Sequence, residues 1–318
     1  MSKATHKKQH FVPKCYLKAW HDTTQPLGPR HTPYVWCFDK NGTNPRKKAP
    51  QNIFTETDIY TVELSGGERD LRLEHGFSGL EQKFAELRTH RLDGRQWPNA
   101  EEMVYLLAFA AVARFRTPKF RDAQREQWGN ILAWMEDAKK GFEAATPEQR
   151  QEMASISRLG QEGPGITMKQ VERIRDHPIQ MAAGPMLEGT LSRFLQMKVA
   201  ILCTTDPVGF VTSDQPCVWI DPEAYKRAPA YRGVGLAMGS IEVSMPISPM
   251  QCLFISHAPA WQGYMDISLE QVDEINARHI GACRDAFVAH RNEVRDVWFQ
   301  KHPLPEDAWE YRAQPALD

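Results

Sequence analysis

The segment that most constrains the fold runs from Met103 to Ala113 and is apolar around almost its whole circumference. Asn99 stands ahead of it as a helix cap, with Glu101 and Glu102 placed to meet the positive end of a helix. Thr117 precedes Pro118, which ends the segment near Arg114-Phe115-Arg116. A helix without a polar face must be covered on every side. The run is about half of the ~20 residues that a membrane span needs, so it predicts a buried helix in a globular interior. A chain of 318 residues, 42% hydrophobic and 25% charged, can supply the cover.

The elements around that helix come in blocks. Tyr16, Leu17 and Trp20 recur on one helical face after Pro13. Tyr34 to Phe38 and Asp58 to Leu64 read as strands, and Asn41-Gly42 as a turn. From Leu71 to about Lys140 the chain reads as helices, with Phe77, Leu80, Phe84 and Leu87 at helical spacing. Thr146 with Gln149, and Thr167 with Gln170, are capping boxes flanking a loop at Gly160 to Gly165. A helix begun near Pro178 is expected to break at Gly184-Pro185. Strands follow at Val199 to Thr204, Gly209 to Thr212, Cys217 to Ile220, Ile241 to Met245 and Cys252 to Ser256. Ser268 with Gln271 caps a last helix reaching about His290.

Strands, helices, strands and a helix do not alternate as in a doubly wound sheet. The order predicts an α+β fold. An antiparallel or mixed sheet would be built from N- and C-terminal strands, with a central helical block at about 71–197 packed on it. The expected organisation is a basic tail over 1–9, a single domain over 10–300, and a loosely ordered tail over 301–318. The segment Met1 to His10 is basic and polar and lacks the apolar stretch of a signal peptide. The six cysteines form no CxxC pair and several sit in apolar runs, which points to reduced, buried thiols and a cytoplasmic setting. A net charge of −1 gives no global reason to expect nucleic acid or a membrane surface.

His10-Phe11-Val12-Pro13 followed by Tyr16-Leu17 is an unusual opening. With it come Trp36, Ile59-Tyr60-Thr61, a Glu74 to Glu81 helix segment, Arg116-Thr117-Pro118, Val211 to Pro216 and Met245 to Pro249. In these motifs, and in their order, the chain resembles the domain-of-unknown-function family numbered 4238 over roughly residues 9 to 290. Lys14-Cys15 departs from the glutamine and aromatic often found there. The resemblance implies no activity.

The polar residues that need explaining are His10, Glu81, Arg116, Ser213, Asp214 and Asn276. Asp214 follows an apolar strand, where a carboxylate can act as a base or metal ligand, or close an Asx-turn ahead of Pro216. His10 is a candidate acid/base, or a cap on the first helix. Glu81 lies at the edge of an apolar helix face, and Arg116 is its natural partner, either as a buried ion pair or as a holder of an anionic substrate group. Ser213 would share the strand end with Asp214. Asn276 points to the buried side of its helix, where it either pins backbone or faces a polar site. Arg46-Lys47-Lys48 reads as solvated surface, or as a phosphate contact.

No phosphate loop, HExxH, GxSxG, EF-hand or zinc-type spacing occurs, so the sequence names neither a cofactor nor a metal. Two readings result. In one, the six residues converge on a cleft as a hydrolase site for a phosphate-containing substrate such as nucleic acid. In the other, they form a structural network in a non-catalytic binding or regulatory protein. The partner stays open between a small molecule, nucleic acid and protein, with no membrane.

Overall fold

The computed structural model describes residues 7–22, 24, 32–64, 68–157 and 165–300. Strand β1 (Lys8–His10) leads into helix α1 (Lys14–Leu17), which tightens into a 3-10 turn ending at Trp20. Strands β2 (Val35–Asp39), β3 (Arg46–Lys48) and β4 (Thr55–Thr57) follow, then a ribbon of β5 (Val62–Glu63) and β6 (Arg69–Asp70). The helical block comprises α2 (Arg72–Leu87), α3 (Ala100–Phe115), α4 (Pro118–Ala144), α5 (Pro147–Ser157), α6 (Met168–Asp176) and α7 (Pro178–Phe194). Then come β7 (Lys198–Cys203), β8 (Thr212–Ser213), β9 (Val218–Ile220), β10 (Glu242–Ser248), β11 (Gln251–Ser256), β12 (Gly263–Asp266), α8 (Leu269–Ala282) and β13 (Ala286–Ala289).

The fold is α+β, with two principal sheets. One joins both ends of the chain in the order β3-β2-β13-β8, antiparallel throughout. The other, β12-β7-β11-β10-β9, is drawn wholly from the second half and is mixed, because β12 runs parallel to β7. Its side chains alternate between two buried faces, as the pleat requires. Ile201, Cys203, Met245, Leu253 and Ile255 pack with Leu106, Phe109 and Ala110 of α3. Ala200, Leu202, Cys252 and Phe254 pack with Val272 and Ile275 of α8. Helix α3 thus sits beneath the sheet with residues 106–113 buried, which answers the demand of its sequence. No helix among the described residues is long and apolar enough to cross a membrane.

The caps operate as the sequence implies. Asn99 and Glu102 exchange bonds at the start of α3, and so do Thr167 with Gln170 and Ser268 with Gln271. Four expectations differ. The last helix stops at Ala282, where Cys283 leaves helical geometry (φ −54, ψ 139), and the stretch expected to carry it on to His290 forms β13 instead. Helix α7 runs through Pro185 without breaking. Pro185 and Met181, four residues earlier, are both exposed, so the carbonyl that loses its partner can turn to water. The strand over Asp58 to Leu64 shrinks to β5, because Asp58 adopts φ 56 and turns the chain. The strand over Gly209 to Thr212 shrinks to β8. Gly209 has φ +61 there, and a Cβ on it would lie 2.1 Å from the Pro249 carbonyl oxygen. Only glycine lets the two backbones approach so closely. The structured chain begins at Lys8, inside the expected basic tail. The rest of that tail (1–6), most of the 160–165 loop and the 301–318 tail lie outside the described residues.

Candidate functional site

Asp214 follows β8 and is 4% exposed. Its carboxylate does not close a local Asx-turn. It reaches across the sheet to accept three backbone N–H groups, from Arg284 (2.8 Å), Asp285 (2.6 Å) and Ala286 (3.2 Å). Burial pushes its pKa up, opposed by those three donors. The local turn falls to Ser213, whose Oγ accepts from Gln215 N at 3.1 Å and donates to the Gln215 carbonyl. Asn276, fully buried on α8, accepts from Val211 N and donates to the Gly209 carbonyl, both at 2.9 Å. These three residues spend their hydrogen-bonding capacity on backbone.

Arg116 is the centre of a second group. At 3% exposure it gives one bond in each of three directions. Nη1 donates to Glu81 Oε1 (2.9 Å), Nη2 to the His10 carbonyl (2.7 Å) and Nε to the Tyr60 hydroxyl (3.1 Å). Tyr60 passes its proton on to the Arg116 carbonyl at 2.9 Å, and burial pushes its phenol up to about 12, so it stays a donor. The guanidinium also lies over the Phe77 ring at 4.7 Å. Gln9 extends the group by donating to Glu74 (2.7 Å) and Thr61 (3.0 Å).

His10 does not cap α1, whose N-cap position is Pro13 and carries no side-chain cap. Burial holds its pKa below the ordinary value, against the Pro50 carbonyl and Glu81. Its Nε2 is buried with no hydrogen-bond partner among the described residues.

The two groups are joined through one dipeptide. Next to Arg116, Thr117 Oγ1 donates to Gln215 Oε1 at 3.1 Å, and Gln215 in turn holds the Asp214 carbonyl at 2.8 Å. They nevertheless line different hollows. His10, Glu81 and Arg116 border a pocket of 110 Å³ together with Tyr60 and Glu74. Asp214 borders a cleft of 420 Å³. Ser213 and Asn276 border neither. The six residues are therefore connected but do not share one cleft. A larger groove of 1080 Å³, between the β2–β3 turn and α8, contains none of them.

The 420 Å³ cleft is lined by four basic side chains, Arg46 and Lys48 of β3, Arg121 of α4 and Arg284 after α8, and by three acidic ones, Glu56, Asp214 and Asp285. Arg46 and Lys48 are two apart on a strand, so they share a face. Lys47 points elsewhere, over the Tyr34 and Trp36 rings at 4.7 and 5.2 Å. Glu56 pairs with Arg121, and Asp122 bridges Arg121 (2.8 Å) and Arg284 (2.7 Å). Arg46 pairs with Asp39. Lys48 makes no ion pair among the described residues. Arg121 and Arg284 were not singled out in the sequence. They lie in separate segments, and no spacing signals their meeting. The described residues contain no cluster of three His, Cys, Asp or Glu side chains able to hold a metal.

A family model described as a protein of unknown function, DUF4238, matches residues 8–293. Comparison with curated proteins and with solved structures yields no match.

Proposed function

The chain belongs to the DUF4238 family of proteins of unknown function, and on the geometry above we propose that it binds a phosphate-bearing ligand in the 420 Å³ cleft without cleaving it. One observation carries this reading: four basic side chains from three distant segments line a single hollow and outnumber its three carboxylates, Glu56, Asp214 and Asp285. Guanidinium forks match phosphate oxygens two at a time, and the Lys48 ammonium, without an ion pair among the described residues, adds a point charge. The volume lies within the range of roughly 300–1,000 Å³ usual for small-molecule sites. A nucleotide-sized ligand suits it better than a long nucleic acid, because a net charge of −1 supplies no extended basic track.

Binding is favoured over hydrolysis by the state of Asp214. Both of its oxygens already accept backbone N–H groups, so it is poorly placed to take a proton from water. The same residue holds the loop that carries Arg284, which gives it a role in shaping the cleft. Hydrolysis is a second reading, favoured by the Nε2 of His10, which has no hydrogen-bond partner among the described residues and lies beside Glu81. Those groups border the other, smaller pocket.

The test is a thermal-shift panel of inorganic phosphate, nucleoside mono- and triphosphates and short oligonucleotides, run with an assay for released phosphate. Stabilisation by a nucleotide, lost in K48Q and kept in H10A, with no product released, is the expected result. Turnover abolished by H10A would replace this reading with the hydrolytic one.

A further inference from the structure

The cleft at Arg46 and Lys48 has an apolar wall as well as charged groups. Phe11, Ile53 and Phe54 also line it. All three belong to one core cluster, Ile53 and Phe54 as buried members and Phe11 as a partly buried ring packed against it. The Phe11 and Phe54 rings are 5.8 Å apart and tilted by 43°. They stand at the end of the β1–β4 ribbon, whose last paired residues are His10 and Thr55. A bond from Phe11 N to the Phe54 carbonyl, 2.9 Å long, carries the pairing one residue further. Phe54 makes that bond with φ 53, in the left-handed region that a bulky side chain rarely adopts. Backbone held in such a region concentrates at ligand sites, where the surrounding structure keeps it in place. Here it pins Phe11 at the wall of the cleft.

Apart from the charged groups, Thr55 is the only polar side chain among the described residues that line the cleft. A sugar or polyol set against Phe11 and Ile53 would leave hydroxyls without partners, which costs free energy. The flat face of a nucleobase needs no such partners and covers aromatic surface. Building on the phosphate reading of this cleft, we propose that its ligand is a nucleotide, with the phosphate at the basic side chains and the base against the Phe11 ring. Phe11 is then the residue that selects a nucleotide over a simple phosphate ester. Every base offers a face of this kind, so preference among bases follows stacking strength, purine above pyrimidine.

The experiment is calorimetric titration of adenosine monophosphate, uridine monophosphate and ribose phosphate into the full chain at one ionic strength. The three ligands share sugar and phosphate and differ in the base. Two variants accompany the wild type. F11L keeps an apolar side chain for the core but removes the ring, and F11Y keeps the ring. The wild type should bind adenosine monophosphate about tenfold or more tighter than ribose phosphate, with uridine monophosphate between them. F11L should lose most of that margin while ribose phosphate binds as before, and F11Y should keep it. Equal affinity for the three ligands in the wild type, or an undiminished margin in F11L, overturns the proposal. Ribose phosphate binding that R46Q/K48Q weakens upholds the phosphate reading on its own, and binding of none of the three ends both. Should F11L fail to fold, the order of the three ligands in the wild type decides.

Discussion

The side chains that stand out in this sequence act mainly by holding backbone that belongs to other segments. Asp214 is the clearest case, with three N–H groups about seventy positions away converging on its carboxylate. In Asp214→Asn one acceptor oxygen becomes an N–H₂ group that faces a donor. Unfolding in urea should show a loss of about 2–4 kcal/mol, since bonds to charged groups are worth ~1.5–3 each and an unmet buried donor adds its own cost. A loss below ~0.5 kcal/mol would mean that the clasp carries no stability. Arg116 offers a second test. Arg116→Lys keeps the charge but cannot reach Glu81, Tyr60 and the His10 carbonyl together, so a loss of about 2–3 kcal/mol is expected in the same assay. The sequence marked Arg116 and Glu81 as natural partners, and they meet at 2.9 Å. It could not reveal what Asp214 would hold, because a clasp between segments so far apart leaves no local spacing.

Among elements, the legible parts were those governed by local chemistry. The Asn99 cap marked the start of α3, capping boxes marked those of α6 and α8, and the apolar run fixed the burial of α3. Proline was misleading at 185, because its effect depends on which way the freed carbonyl faces, and that is a tertiary property. Helix α8 brings a pH prediction. His279 is fully buried against Ser244, with a 3.0 Å bond at Nε2, and burial lowers its pKa to about 3. An unfolded histidine takes up its proton near pH 6.5. Between those values the unfolded state binds the proton and the folded state does not, so stability is complete above ~6.5 and falls as pH is lowered. The slope from this group approaches about 1.4 kcal/mol per pH unit. His10 and His290 are shifted the same way by burial and add to it. Urea unfolding between pH 7 and 5 should show His279→Gln with a visibly shallower slope than wild type. Parallel slopes would contradict the assignment.

At the level of the whole molecule, the α+β class followed from the order of the elements. The cleft did not, because Arg46, Lys48, Arg121 and Arg284 reach it from three parts of the chain. Its four basic groups exceed its carboxylates by one, in a protein of net charge −1, so affinity for a phosphate group should fall as salt rises. The most direct test is calorimetric titration of a nucleoside triphosphate into the full chain and into R46Q/K48Q at one ionic strength. Saturable binding to the wild type, weakened about tenfold or more in a double variant that melts normally, is the predicted result. Equal affinity in both proteins, or no binding heat in the wild type, would contradict the claim that this hollow receives a phosphate-bearing ligand.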